Sequence, residues 1–116
     1  MLPERVRPIL TELAAVLDLD SEMNWSSAVR HAMSNSDEEL LKFLESNDFW
    51  GGSGSIADSA FTDSRGVSDP EEWKKKRNRF LGLMCDLGRL QIANGFPNSR
   101  TVMWVEAFEH WRRLGI

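Results

Sequence analysis

The chain has 116 residues, which is the size of one domain and too short for two separate hydrophobic cores. Its 14 basic and 18 acidic side chains give a net charge of −4, which argues against a general nucleic-acid-binding protein because such proteins carry a positive surface. One cysteine excludes an internal disulfide framework, and two histidines are too few for a histidine–cysteine zinc site.

The sequence of the N-terminal region is typical of an amphipathic helix and not of a membrane-spanning or export segment. The run from Ile9 to Leu19 is interrupted by Glu12 and Asp18, so it lacks the apolar stretch of a signal peptide. No stretch of the sequence approaches the roughly 18 consecutive apolar residues that a membrane span requires. We therefore expect a cytoplasmic protein without membrane contact.

Apolar residues recur at helical spacing along most of the chain. In the first segment they are Val6, Ile9, Leu10, Leu13, Val16 and Leu17. The same spacing predicts helices over residues 4–19, 21–34, 37–47, 70–95 and 99–114. No strand pattern of any length is present, so the predicted fold is all-α, a single domain with a small bundle of about five helices.

Helix-capping signals support these boundaries. Ser36 followed by Glu39 is a capping box, and Asp69 followed by Pro70 is typical of a helix start. Gly95 stands where a long helix is expected to end, shortly before a proline.

Residues 48–69 differ from the rest, since they carry four glycines and five serines and follow neither the helical nor the strand period. A loop this long in a small domain is usually functional or disordered. Its apolar residues Phe49, Trp50, Ile56 and Phe61 argue against a solvated linker. We therefore predict one long ordered loop between two helical halves, docked on the helices.

The centre of this loop is the glycine motif, which consists of Gly51, Gly52, Ser53, Gly54 and Ser55. Glycines permit close backbone approach, and successive N–H groups in such turns can hold an anion. The loop core carries no Lys or Arg and no Gly-Lys-Ser/Thr sequence follows, so it is not a P-loop. Two main alternatives are a sharp chain reversal, and a direct contact with a ligand or partner.

The glycine motif, followed by Ile56 and Asp58, resembles a family of small bacterial helical proteins of unknown function that carry a mid-chain Gly-Gly-x-Gly-Ser loop. The matching positions are Gly51, Gly52, Gly54 and Ser55. The resemblance implies an all-α fold and a bacterial origin. It supplies no chemistry, although small proteins of this kind resemble immunity partners encoded beside toxins.

Trp50 stands directly before the glycines, and two roles are open for it. Tryptophan is enriched among interface hot spots, so an exposed Trp50 would anchor a partner. Alternatively, the side chain extends from the loop into the hydrophobic core and is buried there. The other four tryptophans lie in helical patterns and are predicted to be core or rim residues.

Charge is divided unevenly between the two halves of the chain. Residues 1–69 contain 5 basic and 13 acidic side chains, whereas residues 70–116 contain 9 basic and 5 acidic ones. Five cationic side chains lie from Lys74 to Arg79. On a helix they would be distributed around more than half of its circumference, so a solvated helix face is favoured over a nucleic-acid contact. The acidic half offers a surface complementary to a basic partner.

These observations favour a non-enzymatic protein-binding module, of the immunity or antitoxin type, that occludes a basic site on a protein partner. The predicted partner-binding residues are Asp48, Trp50, Gly51, Gly52, Ser53, Gly54, Ser55, Asp58 and Asp63. No catalytic residues, metal site or cofactor are predicted, and an apolar helix face is compatible with a homodimer. The alternative is a small-molecule or nucleotide-binding regulator that uses the Gly-rich loop.

Overall fold

A computed structural model describes residues 2–19, 25–52, 54–61 and 68–115 of the chain. These residues form α-helices and connecting turns, and no strand occurs among them. The helices are α1 (Val6–Leu17), α2 (Trp25–Met33), α3 (Asp37–Glu45), α4 (Asn47–Trp50), α5 (Ile56–Ser59), α6 (Pro70–Ala93) and α7 (Thr101–Leu114). The prediction of an all-α fold is confirmed.

The helix starts follow the local signals in the sequence. The Ser36 hydroxyl accepts a hydrogen bond from the Glu39 N–H at 3.3 Å, and the Asp69 carboxylate accepts one from the Glu72 N–H at 3.2 Å. Both caps satisfy N–H groups that lack an intrahelical partner in the first turn. Gly95, just past the end of α6, has a φ of +78°, the left-handed conformation that favours glycine after a helix.

The segment between the helical halves is more helical than the sequence predicted. The one-turn helices α4 and α5 lie within or beside residues 48–69, where a loop without helices was expected, and α3 ends at Glu45. A four-residue helix is too short to display a period, so hydrophobic spacing could not reveal it. The docking of this segment is confirmed for its described part, since Phe49, Trp50, Ile56 and Phe61 are all buried.

The long helix α6 lies at the centre of the packing. It packs against both α1 and α7, while α2 packs on α1. From α2 the chain continues through α3, α4 and α5, each packed against the next. The largest fully buried side chains come from most of these elements: Trp50, Phe49, Phe61, Phe80, Phe108, Leu10, Leu13, Leu17, Leu40, Leu44, Ile56 and Met84.

Two exposed ion pairs connect the first three helices. The Arg30 guanidinium donates to both carboxylate oxygens of Asp18, at 2.8 and 2.6 Å, joining α2 to the end of α1. The Arg7 guanidinium donates to Asp37 at 2.7 Å and to the Met33 carbonyl at 2.9 Å, joining α1 to the α2–α3 corner.

The Asp18–Arg30 pair predicts a specific pH dependence of stability. The hydrogen bond from Arg30, and then that from Ser26, lowers the pKa of Asp18 from 3.8 to about 2. Because the folded-state pKa lies below the unfolded value, the ionised carboxylate stabilises the fold above pH 3.8, and this contribution is lost as the pH falls towards 2.

We therefore expect urea midpoints to fall less steeply across this pH range in Asp18→Asn than in the native chain. The effect should be modest and should shrink in high salt, because the pair is solvent-exposed. An identical pH dependence in both proteins would contradict the assignment.

Candidate functional site

The described part of the glycine motif is a tight turn whose backbone groups bond to one another. The Gly51 N–H donates to the Asn47 carbonyl at 3.0 Å, and the Ser55 N–H donates to the Gly52 carbonyl at 3.1 Å. The Gly54 N–H donates to the Asp58 carboxylate at 3.2 Å. These three N–H groups are therefore already used within the turn and are not presented to an anion.

Ser55 and Gly51 hold this turn together. The Ser55 hydroxyl donates to the Gly51 carbonyl at 2.8 Å and accepts from the Asp58 N–H at 3.1 Å, which caps α5. A Cβ atom on Gly51 would lie 2.4 Å from the Asn47 carbonyl oxygen, so only glycine fits there. Gly54 has a φ of +87°, a second position that favours glycine. The presence of Gly51, Gly54 and Ser55 in this turn is thus explained by backbone geometry and by hydrogen bonds within the turn.

Trp50 is a core residue. Its side chain is 0% exposed, and the indole N–H donates to the Gln91 side-chain oxygen at 2.7 Å. Gln91 is itself buried and donates to the carbonyls of Leu44 and Phe96, at 3.0 and 3.1 Å. The prediction of an exposed Trp50 anchor is therefore wrong, and the alternative, a tryptophan that plugs the core from the loop, is confirmed.

The remaining predicted site residues that the structure describes differ in their exposure. Asp48 is exposed, Asp58 is half-buried and engaged with Gly54, and Ser55 is 2% exposed. Gly52 is half-buried, and a Cβ atom added to it would lie 3.7 Å from the Arg100 guanidinium. Ser53 and Asp63 lie outside the described residues. A role for these residues in partner binding stays a prediction.

A different site is formed where α5, α6 and α7 meet, and we call it the aromatic groove. It encloses about 440 Å³, within the range of small-molecule sites. Its described lining includes six aromatic side chains: Phe61, Trp73, Phe80, Trp104, Phe108 and Trp111.

Five of the six rings of the aromatic groove, those other than Trp73, form a continuous set of contacts. Ring centroids lie 5.5 Å apart for Phe61–Phe80, 6.2 Å for Phe80–Phe108, 5.4 Å for Trp104–Phe108 and 5.6 Å for Phe108–Trp111. These distances are typical of favourable aromatic pairs. The phenyl rings are buried whereas the tryptophans are only partly buried, so the phenyl rings form the floor and the indoles remain accessible.

Backbone features hold the walls of the groove in place. Trp104 donates from its indole N–H to the Gly51 carbonyl at 3.2 Å, which ties α7 to the glycine motif. Phe61 has a φ of +55°, an uncommon and strained conformation for a bulky residue. Its ring is nevertheless 1% exposed and packed on Phe80, so packing offsets that strain at the groove floor.

Cations border the groove on the α6 side. Lys74 and Arg77 both line it, and the Arg77 guanidinium lies over the Trp111 ring, 5.4 Å from the centroid. Burial lowers the pKa of the Arg77 guanidinium from its usual value, yet arginine stays protonated at neutral pH. Asp58 is the carboxylate among the described lining residues.

A second depression of about 260 Å³ adjoins the groove, and we call it the basic depression. Lys74 and Arg77 line both, so they form the ridge between them. The other described lining residues are Glu71, Lys75, Asn78, Arg112 and Gly115. Part of the predicted cationic run thus faces a concave surface together with Arg112 from α7, whereas Arg79 forms an ion pair with Glu12.

Sequence reasoning placed the three groove tryptophans in the core or at its rim and did not bring them together. A usable signal was present, since Trp73, Arg77 and Phe80 stand at positions i, i+4 and i+7 of α6, and Trp104, Phe108 and Trp111 repeat that spacing on α7. Residues so spaced share one helix face. We call each of these two sets of residues an aromatic stripe. The two stripes face each other because α6 and α7 pack antiparallel, and the spacing within each helix does not reveal this packing.

Metal-binding and nucleophilic groups are dispersed. Among the described residues, no group of three or more His, Cys, Asp or Glu side chains is arranged to hold a metal ion. Cys85 is buried, and burial raises the pKa of its thiol, which disfavours the reactive thiolate. The absence of catalytic activity stays a prediction.

Across the described residues, no helix combines the length and the apolar character needed to cross a bilayer.

No protein-family model matches the chain, and neither the curated proteins nor the solved structures give a significant match. The resemblance of the glycine motif to a bacterial family therefore stays a prediction.

Proposed function

We propose that this chain is a non-enzymatic binding protein whose binding site is the aromatic groove. The observation that carries the proposal is the cluster of three half-buried tryptophans, Trp73, Trp104 and Trp111, around a concavity of about 440 Å³. A groove lined mainly by aromatic side chains, with a few charged groups at its edge, is the usual form of a ligand site.

The alternative interpretation is that the groove is only an imperfectly filled part of the core. Protein interiors are close-packed, and voids that serve no purpose are few and small. Here the phenyl rings of the floor are buried, while the partly exposed indoles lie on two different helices. Solvent-accessible tryptophans at the rim of a concave surface are more typical of a binding site than of a packing defect.

The proposal is tested by titrating the protein with an aromatic probe, naphthalene-2-carboxylate, and recording the five indole N–H signals by NMR. We expect the signals of Trp73, Trp104 and Trp111 to shift in a saturable manner. The signal of Trp50 should stay fixed, because its indole N–H is buried against Gln91. Trp25, which lies on α2 outside the groove, should also stay fixed.

A matched pair of variants completes this test. Trp73→Ala should abolish binding of the probe, whereas Trp25→Ala removes another half-buried tryptophan and should leave binding unchanged. Failure of the groove signals to shift, or equal shifts at all five indoles, would overturn the proposal.

An inhibitor of the immunity or antitoxin type is a second candidate, in which the chain covers a basic site on a protein partner in the cytoplasm. It is supported by Glu38, Glu45 and Asp48, which are exposed and form no ion pair within the described residues. Glu38 and Glu45 are seven residues apart on α3 and therefore share one face. Such a surface would speed association with a cationic partner.

This second candidate predicts a charge-dependent capture. A basic protein should co-purify stoichiometrically with the native chain, be released by salt, and be lost when Glu38, Glu45 and Asp48 are changed to their amides. The same change at Glu71, Glu72 and Glu106 alters the net charge equally and should leave capture intact. Equal capture by both variants, or no basic partner at low salt, would contradict this candidate.

A further inference from the structure

More basic than acidic side chains line the aromatic groove and the basic depression beside it. Lys74 and Arg77 line the groove from α6, and both also line the basic depression. The other charged residues that line this depression are Lys75, Arg112 and the acidic Glu71. Asp58 lies on α5, and its carboxylate already accepts the Gly54 N–H. The ridge between the two concave surfaces is therefore cationic.

Lys74 is the group on this ridge that is most readily available to a ligand. Its side chain is exposed and forms no ion pair within the described residues. Arg77, in contrast, is half-buried and stacked on Trp111, which fixes a guanidinium directly beside an accessible ring. An aromatic ring lying among the tryptophans would thus have a cation at the edge of the same site.

We infer that the aromatic groove selects small aromatic acids, with the ring among Trp73, Trp104 and Trp111 and the carboxylate, sulfonate or phosphate group at Lys74. This inference rests on the proposed function and adds the chemical class of its ligand. The ring supplies apolar contact, and the acidic group accepts charge-assisted hydrogen bonds, which are about twice as strong as neutral ones.

Three probes of similar shape test the inference: naphthalene-2-carboxylate, its neutral carboxamide, and the cationic 2-naphthylmethylammonium ion. We expect the carboxylate to bind at least about tenfold more tightly than the carboxamide, as one hydrogen bond to a charged group implies. The cation should bind most weakly. Affinities are read from the NMR shifts of the groove indoles.

The variant Lys74→Gln should remove most of the preference for the carboxylate while leaving binding of the carboxamide unchanged. Lys76→Gln is the matched control, since Lys76 is the same residue on the same helix but lines neither the groove nor the basic depression. It should keep the full preference.

The outcomes separate the two proposals. If carboxylate and carboxamide bind equally well, or the cation binds most tightly, the inference is overturned and the groove remains a binding site. If Lys74→Gln and Lys76→Gln reduce the preference equally, the long-range charge of α6 and not the ridge determines it, which also overturns the inference. If none of the probes shifts the groove indoles, the proposed function fails and the inference fails with it.

Discussion

Trp50→Ala should lower the free energy of unfolding by about 3–5 kcal/mol, the usual cost of truncating a fully buried tryptophan. The side chain is 0% exposed, and its ring lies 5.3 Å from that of Phe49 and over the junction of α6 and α7 at Gly88. Truncation would leave a large cavity there and would also remove the donor to Gln91. Urea denaturation followed by far-ultraviolet circular dichroism measures the loss without relying on tryptophan fluorescence.

Two controls separate the cavity from the hydrogen bond. Trp50→Phe keeps much of the ring volume but leaves the Gln91 side-chain oxygen without its indole donor, and should cost about 1–3 kcal/mol. Trp25→Ala, at a half-buried tryptophan, should cost less than Trp50→Ala. A loss below 1 kcal/mol for Trp50→Ala would contradict the assignment of Trp50 to the core, because truncation of a buried tryptophan usually costs about 3–5 kcal/mol.

The parts of the fold that could be predicted are those encoded by neighbouring residues. The caps at Ser36 and Asp69 and the left-handed glycine at Gly95 each depend on contacts over three or four positions, so a short sequence pattern suffices. The five longer helices likewise reveal themselves by hydrophobic spacing, and each was found within its predicted range.

The parts that could not be predicted depend on residues far apart in the chain. The burial of Trp50 requires Gln91, which is 41 residues away, to supply the acceptor. The sequence does place an aromatic residue beside flexible glycines, but it cannot tell whether the chain turns that residue inwards or outwards. The same holds for α4 and α5, whose single turns are stabilised by the core they cover and not by their own propensity.

The aromatic groove also depends on residues that are far apart in the chain. Each of its two stripes can be read from the spacing on α6 or α7, yet a stripe alone is indistinguishable from an ordinary core face. Only the packing of α6 on α7, together with the position of α5, leaves the tryptophans accessible around a concavity. That packing depends in turn on Gly88, a residue for which the sequence pattern gave no role.

At Gly88 the side chains of α7 pack directly against the backbone of α6, and Gly88→Val should therefore destabilise the fold strongly. A Cβ atom at this position would lie 2.4 Å from Val105 Cγ2, 3.2 Å from the Trp50 ring and 3.3 Å from Thr101 Cγ2. Val105 is β-branched and cannot rotate away easily, so the helices would have to separate. We expect a loss of about 3 kcal/mol in the free energy of unfolding, the upper end of the usual cost of overpacking.

Alanine substitutions at two glycines of α6 make this argument quantitative. Ala is better than Gly in a helix interior by about 1 kcal/mol. The nearest neighbour of a Cβ on Gly82 would be the Arg112 guanidinium, at an ordinary contact distance of 3.5 Å, so Gly82→Ala should stabilise the protein. Gly88→Ala gains the same propensity but meets Val105, so it should destabilise. Shortening Val105 to Ala in the Gly88→Ala background should recover part of that loss, measured as a coupling energy in a double-mutant cycle. If Gly82→Ala and Gly88→Ala both stabilised the fold equally, the close approach of α6 and α7 at Gly88 would be refuted, and with it the geometry that brings the two aromatic stripes together.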